Sequence, residues 1–135
     1  MKKELLRRIN DRTIIAGVVG LGYVGLPLAV EKAKAGFKTI GFDIQGTKVD
    51  MVNRGHNYIG DVVDSDLAEL VKSGKLSATS DFSFIKEVDF IAICVPTPLD
   101  IHQEPDISYV KESAIAVSKH LKSGTMVVLE STTYP

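Results

Sequence analysis

Three glycines in the spacing Gly20-x-Gly22-x-x-Gly25 stand between an apolar, strand-like run and a helix-like one, within TIIAGVVGLGYVGLPL from Thr13 to Leu28. A chain that leaves a buried strand through such a turn has few folds open to it. Gly20 supplies the tight turn out of the strand. Gly22, lacking a Cβ, lets phosphates approach the main chain, and Gly25 lets the following helix pack close on the sheet. The helix start presents unpaired N–H groups and the positive end of its dipole to an anion. The acidic residue that completes this pattern is Asp43, 23 residues beyond Gly20, at the end of the next strand-like run, KTIGFD. The combination predicts a dinucleotide site.

The rest of the chain alternates in the same way. A charged helix is expected over residues 2–10, with Leu5, Leu6 and Ile9 available to dock, and a first strand over 14–19. A helix from about Tyr23 to Ala35 follows, with Pro27 in its first turn, where missing N–H donors cost least, and Gly36 behind it. Residues 38–43 form the second strand. Thr47 is a candidate cap for a helix through Asn53, and Asp64 or Ser65 for another through Val71, with Gly55 and Gly74 as stops. A short strand is expected over 76–79. VDFIAICV, residues 88–95, is nearly all apolar, as a strand covered on both faces should be. After the polar loop PTPLDIHQEP, the residues Ile107, Val110, Ala114, Val117 and Leu121 recur at helical spacing, Asp106 can cap the start, and a last strand spans 126–130. Strands alternating with helices predict an α/β fold: a doubly wound, Rossmann-type parallel sheet with helices on both faces, in a single domain over residues 12–135 behind an N-terminal helical extension over 1–11.

Composition excludes several classes. A formal net charge of -1 provides no field for nucleic acid or an anionic membrane. A single cysteine excludes an internal disulfide and a cysteine-based zinc cluster, and fits a reducing cytoplasm. Residues 13–30, behind the basic KKELLRRINDR, imitate a signal anchor, but glycines at 17, 20, 22 and 25 and Pro27 make a poor membrane helix. No small-residue cleavage site follows, and Glu31, Lys32 and Lys34 restore amphipathicity. No spacing of His56, His102 and His120 suggests a metal site.

The candidate site gathers at strand ends, because ligands of open α/β sheets bind beyond the carboxyl ends of the strands, where strand order reverses. Gly20, Leu21, Gly22, Tyr23, Val24, Asp43, Val95, Pro96, Thr97, Ser131, Thr132 and Thr133 all fall there, and Gly25 joins the cofactor-binding set as the last glycine of the turn. Asp43 is placed to accept both ribose hydroxyls of an adenosine and to repel a 2′-phosphate, favouring NAD over NADP; the plain alternative is an exposed charge ending a strand. Lys48 could soften that discrimination, or simply touch the ribose from a solvated helix. Pro96 read alone is loop punctuation, and Ser131 and Thr132 are polar strand ends or caps. Cys94, within IAICV, has no acidifying neighbour in sequence and reads as a small buried hydrophobe rather than a nucleophile.

Taken together, GVVGLGYVGLPLAV, GFDI, CVPTPLD, EPDISYV and ESTTYP resemble the UDP-glucose/GDP-mannose dehydrogenase family, from about residue 11 to the last. The forms VPTPL…EPDISYV and ESTTYP are most similar to its UDP-N-acetylglucosamine (or N-acetylhexosamine) 6-dehydrogenase branch, and Thr133 and Tyr134 stand where many members have Val-Pro. The resemblance implies NAD as cofactor and a two-step oxidation of a UDP-sugar C6 alcohol to a carboxylate, through an aldehyde and a cysteine thioester, with two NAD per sugar. It implies pyrophosphate on residues 20–24, adenosine ribose on Asp43 and Lys48, the Val95-Pro96-Thr97 turn along the cofactor, and Ser131 and Thr132 near the nicotinamide, Thr132 in a catalytic role. The family's catalytic cysteine, lysine and acidic base, its dimerising helix and its UDP-binding domain belong to later segments. The expectation is therefore an N-terminal, cofactor-binding fragment of a homo-oligomeric cytoplasmic enzyme, able to bind NAD and unable to turn over a sugar. Two rivals share the glycine turn: a nucleotide-sensing regulatory module, and a fragment of a 6-phosphogluconate- or hydroxyacid-type dehydrogenase.

Overall fold

The computed structural model describes residues 1–131. Five parallel strands, β1 (Ile15–Val19), β2 (Lys38–Phe42), β3 (Leu76–Thr79), β4 (Phe90–Ile93) and β5 (Met126–Leu129), lie in the order β3-β2-β1-β4-β5. The chain builds outward from β1 to one edge, then crosses back to β4 on the other side. Strand order therefore reverses between β1 and β4, and the crevice expected at such a point opens beyond Val19 and Ile93.

Alternation along the strands divides the core into two layers. Val18, Leu76, Ala78, Ala92 and Cys94 face the helices α2 (Gly25–Lys34), α3 (Gly46–Asn53) and α4 (Asp64–Lys72). Val19, Ile40, Phe42, Ile91 and Ile93 face the opposite layer, made by Ile85 and Val88 around a 3₁₀ helix, Phe82–Glu87, and by Val117 of α5 (Ser108–Ser118). The fold is the doubly wound α/β sheet expected, but the β3–β4 crossover uses the short 3₁₀ helix, capped by Asp81 accepting the Ser83 N–H at 2.9 Å.

Local chemistry shifts several expected boundaries. β4 is shorter than the 88–95 run because Val88 closes the 3₁₀ helix on Ile85 and the Asp89 side chain turns back to the Ile15 N–H. Thr47 does not cap α3; Gln45 takes that position, its own N–H held by the Asp43 carboxylate at 2.8 Å. Asp64 and Ser65 do not cap α4, which begins after Val63; Asp64 accepts instead from Asn57 Nδ2 at 2.9 Å. The apolar stripe read on α5 holds only in part. Ala114 is exposed and Leu121 is 44% exposed, whereas Val110, Ser113, Ala116 and Val117 face inward. Val117 packs in the core layer, whereas Ser113 and Ala116 border a cavity, where small and polar residues fit.

The helix α1 (Lys2–Asn10) docks through Leu5, Arg8 and Ile9, while Leu6 faces solvent. Arg8 forks onto Asp89 at 3.0 Å to each carboxylate oxygen. The same buried carboxylate accepts from Ile15 N at 2.9 Å and Lys122 Nζ at 3.2 Å. Burial alone would push Asp89 up, but Arg8, the Ile15 N–H and Lys122 together hold it below the usual carboxylate value. One side chain thus joins α1, β1, β4 and the segment entering β5 at the end of the sheet remote from the crevice.

Candidate functional site

The turn leaving β1 is held from three directions. Gly20 donates to Phe42 O at 2.8 Å and sits at φ +94°, where a Cβ would lie 2.8 Å from Cys94 O; only glycine fits between β1 and β4. Leu21 is fully buried, its side chain packed over Gly41, where a Cβ would meet Leu21 Cδ2 at 2.7 Å. Its N–H donates to Asp43 Oδ2 at 2.9 Å and its carbonyl accepts from the Tyr58 hydroxyl at 2.6 Å. Gly25 packs against the turn itself; a Cβ there would lie 1.6 Å from Gly20 O.

Gly22 differs from both. A Cβ at this position would meet no protein atom within 4 Å, so no packing requirement explains its lack of a side chain. Tyr23 beside it is 77% exposed. Among the described residues, the N–H groups of Gly22, Tyr23, Val24 and Gly25 donate to no protein acceptor, while Gly22 O and Val24 O accept from Leu26 and Leu28 of α2. Four orphan donors at a helix start, beside open space, suit an anion.

Two cavities meet over this turn. One, of about 140 Å³, lies between Ile44 and Gln45 after β2 and Tyr109, Glu112 and Ser113 of α5. The other, of about 380 Å³, runs past Gly22, Tyr23, Tyr58, Thr97 and Ser131. Gly20, Asp43, Lys48, Val95 and Pro96 line both, so the two form one groove across the ends of β1, β2, β4 and β5. The structure thus brings together Gly20, Gly22, Tyr23, Val24, Asp43, Lys48, Val95, Pro96, Thr97 and Ser131, with Leu21 and Gly25 supporting the turn from within. Thr132, like Thr133 and Tyr134, lies outside the described residues.

Asp43 does more than sequence suggested. Its carboxylate is buried, and besides Leu21 it accepts the Gln45 N–H at 2.8 Å through Oδ1. Each oxygen keeps a further acceptor site for a ligand hydroxyl. Ser131 is likewise engaged, its hydroxyl donating to Val95 O at 2.7 Å, which ties the end of β5 to the loop after β4. Cys94 lies on the groove floor as a buried thiol; burial, with Glu130 adding to it, pushes its pKa up to about 11. At neutral pH it is a thiol rather than a nucleophilic thiolate.

Tyr58, Ile44, Glu130 and the α5 residues were not visible from sequence as site residues. Tyr58 meets Leu21 across 37 positions, and no local pattern marks it. Among the described residues no group of three or more His, Cys, Asp or Glu side chains could hold a metal ion, and no helix is long and apolar enough to cross a membrane.

Residues 14–135 match the model of the UDP-glucose/GDP-mannose dehydrogenase family, NAD binding domain. The chain belongs to this family. UDP-N-acetyl-D-glucosamine 6-dehydrogenase of Pseudomonas aeruginosa is 39% identical over 118 residues, 87% of this chain and 27% of that protein. NDP-N-acetyl-D-galactosaminuronic acid dehydrogenase of Ralstonia nicotianae is 42% identical over 128 residues, 92% and 28% of the two lengths. Among solved structures, the UDP-D-ManNAc dehydrogenase of Pyrococcus horikoshii superposes with a TM-score of 0.85 at 34% identity, covering 90% of this chain and 29% of that one. The chain therefore spans less than a third of the length of these dehydrogenases, within the part that carries the NAD-binding fold.

Proposed function

We propose that residues 1–135 are the cofactor platform of a cytoplasmic, NAD-dependent nucleotide-sugar 6-dehydrogenase whose substrate is a UDP-N-acetylhexosamine. The observation that carries the platform role is Gly22: a position with room for a Cβ, kept bare beside four unpaired N–H groups. A pyrophosphate suits that space and those donors. Asp43 and Lys48 receive the adenosine ribose, the smaller cavity beside Ile44 takes the adenine, and Val95, Pro96 and Thr97 follow the cofactor towards Ser131 at the nicotinamide end. The catalytic role of Thr132 rests on the family resemblance of ESTTYP alone.

NAD, when bound, supplies the hydride acceptor for each of the two oxidations from alcohol to carboxylate. This chain's residues bind and orient: the turn fixes the phosphates, and Asp43 disfavours a 2′-phosphate by charge. The chain has one cysteine, and its burial and raised pKa speak against thioester chemistry within these residues. Residues 1–135 are accordingly expected to bind NADH and oxidise nothing. The N-acetylhexosamine assignment rests on the CVPTPLD and ESTTYP strand ends and on the names of the relatives.

Titration of NADH fluorescence with residues 1–135 tests the platform. Saturable binding of NADH, with NADPH much weaker, supports it; absence of NADH binding, or release of NADH from NAD and a UDP-sugar by this chain alone, refutes it. For the longer protein, two NADH formed per UDP-N-acetylhexosamine and little from UDP-glucose would support the substrate reading. The reverse preference would overturn it.

A further inference from the structure

The phosphate turn is braced by a residue from a distant loop. Tyr58 lies in the connection between α3 and α4, and its hydroxyl donates to Leu21 O at 2.6 Å. That connection is itself built. Asn57 donates through Nδ2 to Val62 O at 2.6 Å and to Asp64 at 2.9 Å, and accepts the Ile59 N–H at 2.9 Å. The His56 N–H returns to Met51 O at 2.8 Å. The Tyr58 ring packs on the α2–α4 core layer, and the hydroxyl reaches past it into the groove wall.

The carbonyl it holds belongs to the peptide that carries the Gly22 N–H. A trans peptide is planar, with C=O and N–H pointing in opposite directions, so fixing Leu21 O fixes the direction of the Gly22 N–H. Asp43 fixes the preceding peptide through the Leu21 N–H. Without the Tyr58 bond that second peptide would have no side chain holding it, and the Gly22 N–H would sample several directions before an anion arrived. Donors already aimed at a ligand avoid the ordering cost that mobile ones incur on binding.

We infer that Tyr58 is a positioning residue for dinucleotide binding, setting the Leu21–Gly22 peptide so that the turn's free N–H groups meet a pyrophosphate already aligned. The inference rests on the reading of the groove as the NAD platform. The hydroxyl is suited to a constant role: burial, with the Asp43 charge adding to it, pushes its pKa up to about 12, so it stays a donor through the physiological range.

The test compares wild-type residues 1–135 with Tyr58→Phe, which keeps the ring and removes only the donor. Calorimetric titration uses ADP-ribose, which carries the pyrophosphate, and adenosine, which does not. The expected result is about tenfold weaker ADP-ribose binding, adenosine binding within about twofold, and a folded protein whose thermal midpoint falls by a few degrees for the lost hydrogen bond. Asn57→Ala, which loosens the loop that presents Tyr58, is expected to weaken ADP-ribose in the same selective way. Equal ADP-ribose affinity in Tyr58→Phe would overturn the inference, as would equal loss for both ligands. Unfolding of Tyr58→Phe would also overturn it, since the bond would then be a pillar of the fold. Failure of the wild-type chain to bind ADP-ribose would instead remove the platform reading on which the inference stands.

Discussion

Asp89→Asn offers the sharpest test of how the sheet is held at the end remote from the groove. The carboxylate is 6% exposed and accepts four hydrogen bonds, two from the Arg8 fork, one from Ile15 N and one from Lys122. An asparagine of the same shape has one acceptor oxygen and one donor nitrogen. Whichever way it is turned, its NH₂ faces either the Arg8 and Lys122 side or the Ile15 N–H, so at least one buried donor meets another donor. Breaking a buried charge pair costs about 3–5 kcal/mol. Arg8 and Lys122 retain 30% and 40% of their side-chain exposure and can return partly to water, which lowers the expectation to about 2–3 kcal/mol. For a chain of this length that amounts to roughly 6–12 °C in the thermal midpoint. Because Asp89 lies below the ordinary value of 3.8 in the folded state, its contribution is complete above that pH and disappears as pH falls through the folded value. Urea unfolding at pH 7 should therefore show the full difference between the two proteins, and the gap should narrow below about pH 4. A variant within about 0.5 kcal/mol of wild type at pH 7, or a gap that widens in acid, would refute the account.

Other predictions concern the turn and the groove floor. Gly22→Ala should fold with near wild-type stability, because nothing lies within 4 Å of the added carbon, yet lose most NADH binding; unchanged binding would remove the reason for a bare position 22. Gly25→Ala should lower the thermal midpoint strongly or prevent folding, since the new carbon would overlap Gly20 O; a normally stable variant would show that α2 can slide away from the turn. Cys94 should react slowly with a thiol reagent at pH 7–9 and faster as pH approaches about 11, and bound NADH should slow it further; rapid labelling at neutral pH would contradict the buried thiol.

The parts of this fold that sequence made legible are those whose causes are local. The glycine triplet, the run from Ile14 to Val19 and the acidic end of the second strand each announce themselves within a few residues, and the structure places them together as expected. The short strand Leu76–Thr79, expected over the same residues, is also present. What stayed hidden depends on distant partners. Asp89 meets Ile15 across 74 positions and Arg8 across 81, so nothing near VDF marks it as the tie for α1. Asp64 looked like a helix cap because caps and loop-pinning acceptors use the same residue types, and here Asn57 claims its carboxylate. The α5 stripe holds at Ile107, Val110 and Val117 and fails at Ala114 and Leu121, because apolar spacing does not register the cavity that Ser113 and Ala116 border.

The double engagement of Asp43 has a consequence for cofactor choice. On the proposed reading, one side chain both selects against a 2′-phosphate and ties Leu21 and Gln45 in place, so selectivity and turn geometry share a single carboxylate. A route to NADP use through a small or basic residue at position 43 would remove the charge and, in the same step, free the main chain that presents the phosphate donors. Relaxed coenzyme preference in this fold is therefore coupled to weaker binding of every dinucleotide, and a productive switch would need a second acceptor for the Leu21 N–H before Asp43 could be given up.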